Sequence, residues 1–146
     1  MMATTARRRP AVVTLITVLI VGETVTFLLA SLLHLGVPIP LGFTQPQLIA
    51  AAIVEGLIWL FLSVSLYALF AHRTWAWGVT LAAHIFSVAG VGVGIFETSR
   101  SGAGGEPNFV YHRVIMVALI VVLALLATPA ARATLGHGRL ASPMKE

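Results

Sequence analysis

Four apolar runs, each near the length that crosses a bilayer, take up most of this chain. As helix, about 20 apolar residues cross a hydrocarbon core of roughly 30 Å. Within lipid each backbone N–H and C=O must find its partner inside the span, which helix provides. With 146 residues, four such spans leave little for a soluble domain. The expected fold is therefore all-α: a polytopic membrane protein built as an antiparallel bundle of four transmembrane helices.

Punctuation along the chain sets the boundaries. Residues 1–10 form a basic N-terminal segment, and the membrane domain covers 11–128, with spans at about 11–35, 46–71, 75–96 and 109–128. The first run, about 25 residues long, exceeds the 7–15 residues of a signal-peptide core and lacks a small-x-small cleavage site, so it reads as a span. Two prolines and two glycines in Gly36-Val-Pro-Ile-Pro-Leu-Gly42 end it, and Thr44 with Gln47 resembles a capping box for the second. Thr74 and Asn108 are the expected caps of the third and fourth spans. The stretch from Glu97 to Pro107 is polar and glycine-rich, and the basic tail, 129–146, is expected to fray.

Charge sets the orientation. With the N-terminus cytoplasmic, Arg7, Arg8, Arg9, Arg73, Arg132, Arg139 and Lys145 lie inside, while Arg100 and Arg113 lie outside. Both termini are thus expected in the cytoplasm, in the plasma membrane. Tyr67, Trp75 and Trp77 then fall near the inner boundary, and Phe109 and Tyr111 near the outer one, where amphipathic rings are favoured. The net charge of +4 reports this topology and not nucleic acid, so the bilayer is the expected partner. The lack of Cys excludes disulfides, thiolate metal sites and covalent c-type haem. No pattern names a cofactor.

Against this apolar background Glu23, Glu55 and His84 stand out, each within a span. A carboxylate facing lipid costs roughly 2.5–3.5 kcal/mol on insertion scales, so all three are expected to face the bundle interior. Counted at about 1.5 Å per residue, they fall roughly 18, 24 and 14 Å from the cytoplasmic side. An antiparallel bundle can point them at one another as a proton- or cation-binding cluster. A bis-His haem on His84 and His112 is disfavoured, because the two lie at different depths. Glu97, Glu106, Tyr111, His112 and His34 gather toward the outer face, where Glu97, His112 and His34 are candidate metal ligands. Gly90 and Gly94 form a G-x-x-x-G step suited to close helix packing and to dimerisation.

Glu23, in Gly22-Glu23-Thr24-Val25-Thr26, resembles the first-span glutamate of small multidrug resistance transporters, which exchanges protons for cationic substrates. Glu55 and His84 are additions to that pattern. Across most of the chain, Val54-Glu55-Gly56, Ala83-His84 and Tyr111-His112 resemble uncharacterised four-span bacterial integral membrane proteins, a likeness that implies no activity. The leading expectation is a proton- or cation-coupled small transporter or channel, more a carrier than an enzyme, in which Glu23 and Glu55 bind the ion and His84 tunes or relays it. A homo-oligomer or a membrane-protein partner is expected. Two other readings use the same residues: a metal- or cofactor-binding redox or enzyme subunit, and an accessory or assembly subunit of a membrane complex.

Overall fold

The computed structural model describes residues 10–39, 47–102 and 105–136. It is all-helical there: α1 (Ala11–His34), α2 (Ile49–Phe70), α3 (Ala76–Ser101), α4 (Gly105–Leu126) and the short α5 (Pro129–Leu135). The first four are long and apolar enough to span a membrane.

Each long helix buries one stripe. On α1 this is Val13, Ile16, Ile20, Glu23, Phe27, Ala30 and His34; on α4 it is Asn108, His112, Ile115, Leu119, Val122 and Leu126. The alternation of three- and four-residue steps is the seam of a helix bundle. α1 packs on α2 and α4, and α3 packs on α2 and α4, so the four form a ring. The polarity runs opposite to that of a protein folded in water. Thr17, Glu23, Ser65, Thr80, His84 and Ser87 are buried, whereas Val18, Ile53, Val93, Val114 and Val117 are exposed, each by 58% or more. Burying hydroxyls while presenting valine outward is unfavourable in water and natural in lipid. This is a multi-pass membrane protein.

Most buried hydroxyls bond within their own helix. Thr17, Thr24, Ser65 and Ser87 each donate to the carbonyl four residues back. Ser31 instead reaches from α1 to the Ala52 carbonyl of α2 at 2.8 Å, and the Trp77 indole N–H donates to the Leu126 carbonyl at 3.1 Å, satisfying one of the open carbonyls at the end of α4.

Several helix ends depart from the sequence expectation. α1 closes with a Schellman turn: Gly36 sits at φ 83°, Val37 N–H bonds to the Leu32 carbonyl, and Gly36 N–H bonds to that of Leu33. α2 closes the same way with His72 at φ 52° in the position glycine usually fills. Thr74 does not cap α3, whose N-cap is Trp75 without a side-chain bond. Asn108 lies inside α4, which starts earlier, at Gly105. The tail does not fray at Pro129. Thr128 accepts from Ala131 N–H at 3.3 Å, Pro129 stands at the start of α5, and Ala131 and Leu135 are buried. Thr44, the three N-terminal arginines, Arg139 and Lys145 lie outside the described residues.

Candidate functional site

Two carboxylate–imidazole pairs occupy the core at different levels. In the first, Glu23 of α1 meets His84 of α3 across the diagonal of the ring. His84 Nε2 is 3.0 Å from Glu23 Oε2, and the side chains are 0% and 2% exposed. His84 Nδ1 lies 2.7 Å from the Thr80 carbonyl. A carbonyl can only accept, so Nδ1 carries a hydrogen. One further proton is then shared between Nε2 and Oε2. The pair is either a carboxylic acid donating to neutral imidazole or an imidazolium donating to carboxylate. Both forms are neutral overall, which lowers the cost of burying them. Glu23 Oε1 and Thr80 Oγ1 have no hydrogen-bond partner among the described residues.

The second pair joins His34, the last residue of α1, to Glu55 in the second turn of α2. His34 Nδ1 is 3.1 Å from Glu55 Oε2, and Tyr111 of α4 donates its hydroxyl to Oε1 at 3.3 Å. Both members of the pair are buried. With Glu55 ionised, its oxygens accept from His34 Nδ1–H and from Tyr111, which leaves a lone pair on His34 Nε2. That nitrogen is buried and has no partner among the described residues. His112 stands next to this group. Its Nδ1–H donates to the Asn108 carbonyl at 2.8 Å, its ring meets Tyr111 edge-on at 5.0 Å, and its Nε2 packs on Gly94, where an added Cβ would lie only 2.6 Å away.

A cavity of about 480 Å³ opens beside the second pair, with buried His34, Glu55, Thr98, Asn108 and His112 on its polar side and Val54, Ile58 and Val91 among its apolar walls. Exposed Ile49, Ala50, Val93 and Glu97 also line it, so its mouth lies between the start of α2 and the end of α3, on the bundle's outer surface.

The three residues singled out from the sequence therefore do not form one cluster. Glu23 and His84 come together; Glu55 bonds to His34 and Tyr111 instead. Glu23 and His34 share the buried stripe of α1 but stand 11 residues apart, about 16 Å along the axis. Glu55, so near the start of α2, is held at the level of the α1 C-terminus. Tyr111, expected as an interfacial ring, turns inward to Glu55. Glu97, His112 and His34 all line the cavity, but no group of three His, Asp or Glu side chains placed to hold a metal ion occurs among the described residues. Gly90 packs against Val54 and Ile58 of α2, and Gly94 against His112 of α4. Both glycines thus serve packing within the chain, and both also line the cavity.

His34 is expected from the sequence at the outer face as a candidate metal ligand, not as the partner of Glu55. The available signal was the chain reversal between α1 and α2, which brings the end of one helix beside the start of the next. No protein-family model, curated protein or solved structure matches the chain.

Proposed function

We propose that this is a proton-coupled small transporter or channel of the plasma membrane, its helices alternating in direction and both termini cytoplasmic. The observation that carries this reading is the Glu55–His34 pair at the back of a cavity, with a second carboxylate–imidazole pair deeper on the same helix stripe. Alternation is supported by His34, at the end of α1, bonding Glu55 near the start of α2, and by Trp77, near the start of α3, bonding the end of α4. Orientation is supported by the basic residues. Arginine–aromatic contacts mark both boundaries, with Arg73 donating to the Tyr67 hydroxyl at 2.7 Å and Arg132 over Trp77 at 5.9 Å at one end, and Arg100 over Phe96 and Arg113 over Phe109 at the other, so the orientation rests on the count of basic residues.

The pairing chemistry supplies a coupling device. With Glu55 ionised, His34 holds its hydrogen on Nδ1 and offers a lone pair at Nε2. Protonated on Oε2, Glu55 becomes the donor in the same contact, Nδ1 must accept, and the imidazole hydrogen moves to Nε2. One proton added at the carboxylate thus converts Nε2 from acceptor to donor. A ligand whose polar head donates to Nε2 in one protonation state meets a donor there in the other, so its contact must break or reverse when the proton arrives, and binding is coupled to protonation. Glu23 and His84 form the second proton station, about 16 Å farther along α1.

The test is proton movement in proteoliposomes containing a trapped pH-sensitive dye. Glu55→Gln, which keeps the size of the side chain but cannot ionise, is expected to lower dye response to a pH step at least tenfold, as is Glu23→Gln. Wild-type flux in both variants would end this reading.

A further inference from the structure

We propose that the cavity between α2 and α3 binds a lipid-soluble molecule through a single hydroxyl head, with His34 Nε2 as the acceptor. This inference rests on the proposed role of the His34–Glu55 pair and adds the class of ligand.

The second pair holds an unused acceptor, the first of three features that point to such a ligand. His34 is 2% exposed, and its Nδ1 is fully occupied by Glu55, yet Nε2 has no partner among the described residues. A buried polar atom without a partner is costly, and most are satisfied by protein or water. His34 lines the cavity, and a small shift of its ring, whose Nε2 is itself covered, would bring that nitrogen to a donor inside.

The second is the number and sign of the polar groups. The Glu55 oxygens already accept from His34 and Tyr111. An ammonium head brings three donors and a full charge, which Glu97 at the exposed mouth can meet but the single lone pair of His34 Nε2 cannot. A hydroxyl brings one hydrogen, which His34 Nε2 accepts. In that complex the chain O–H to Nε2, then Nδ1–H to Glu55 Oε2, is complete.

The third is access. The volume of about 480 Å³ lies in the range of small-molecule sites. The mouth is bordered by Ile49 and Val93, which are 53% and 62% exposed on the surface assigned to lipid. An uncharged amphipath dissolved in the bilayer reaches such a mouth sideways, without crossing water.

The experiment measures binding to the full-length protein in nanodiscs at one fixed pH by calorimetry, with protein-free nanodiscs as the reference for partitioning into lipid. The probes are 4-hexylphenol; 4-hexylanisole, which has the same skeleton without the hydroxyl hydrogen; 1-decanol; and hexylammonium. The phenol is expected to bind about fivefold to tenfold tighter than the anisole, the value of one hydrogen bond, and His34→Phe to erase that preference. Preference for the phenol over decanol would assign an aromatic head, and the reverse an aliphatic lipid hydroxyl. Ala50→Trp, at the exposed mouth, is expected to weaken phenol and anisole together by blocking entry, and it gives a readout even where His34→Phe does not fold. Equal binding of phenol and anisole to the wild type, or tighter binding of hexylammonium than of either, would overturn the inference. Its failure is separable from that of the functional reading: equal phenol and anisole binding with Glu55-dependent proton flux defeats only the ligand class, whereas a phenol preference with normal flux in Glu55→Gln defeats only the coupling.

Discussion

Replacing Glu23 by leucine removes one side of a contact that spans the bundle and leaves the other side stranded. His84 is fully buried, and its Nδ1 hydrogen is committed to Thr80, so Nε2 loses the partner it has in the wild type. Two terms add. An interhelical hydrogen bond in a membrane contributes about 0.6 kcal/mol on average and up to about 1.7, and an unsatisfied buried polar atom costs about 1–3 kcal/mol more. Glu23→Leu is therefore expected to destabilise the bundle by about 2–3 kcal/mol. Glu23→Gln keeps the length of the side chain, and its amide N–H can donate to the Nε2 lone pair of neutral His84, so its cost should stay below about 1 kcal/mol. The double variant Glu23→Leu with His84→Leu leaves no stranded group and should cost less than the sum of the singles by about 1–2 kcal/mol. The assay is reversible unfolding in mixed micelles by SDS titration, followed by helicity, for wild type, both leucine variants, the double variant and Glu23→Gln. Strict additivity, or a Glu23→Leu protein within about 0.5 kcal/mol of wild type, would refute the pairing argument.

The same assay checks two local claims. Gly94→Ala is expected to cost about 1–3 kcal/mol, because the new methyl would lie 2.6 Å from His112 Nε2 and 2.8 Å from its Cδ2. Gly78→Ala meets nothing within 4 Å and should be neutral or stabilising by up to about 1 kcal/mol; similar losses at both glycines would count against the assigned packing. Thr128→Ala removes the N-cap of α5, with an expected loss of about 0.5–2 kcal/mol and faster amide exchange over residues 129–135. Unchanged exchange there would show that burial of Ala131 and Leu135 holds α5 without its cap.

Much of the architecture is legible in the amino-acid sequence. Long apolar runs broken by Gly36, Pro38 and the polar stretch after Phe96 predict spanning helices, because lipid leaves the backbone no other partners. The cost of a charge in hydrocarbon likewise predicts that Glu23, Glu55 and His84 face inward, and all three are buried. Helix ends were less legible. Thr74 and Asn108 have the right side chains for caps, yet Trp75 starts α3 and Gly105 opens α4, since packing can extend or shorten a helix by a turn against local preference.

What the sequence by itself determined is therefore the membrane-spanning class of the protein and the inward side of its first three helices, both consequences of a solvent that penalises exposed polar groups. Which inward residues meet was decided only by the tertiary structure. Partner choice depends on the relative depth and rotation of helices in the ring, and a shift of one turn, about 5.4 Å, exchanges one partner for another. That geometry separates Glu55 from Glu23, gives it His34 and Tyr111, and opens a cavity beside them, because pairing across the bundle is set by how all four helices pack at once.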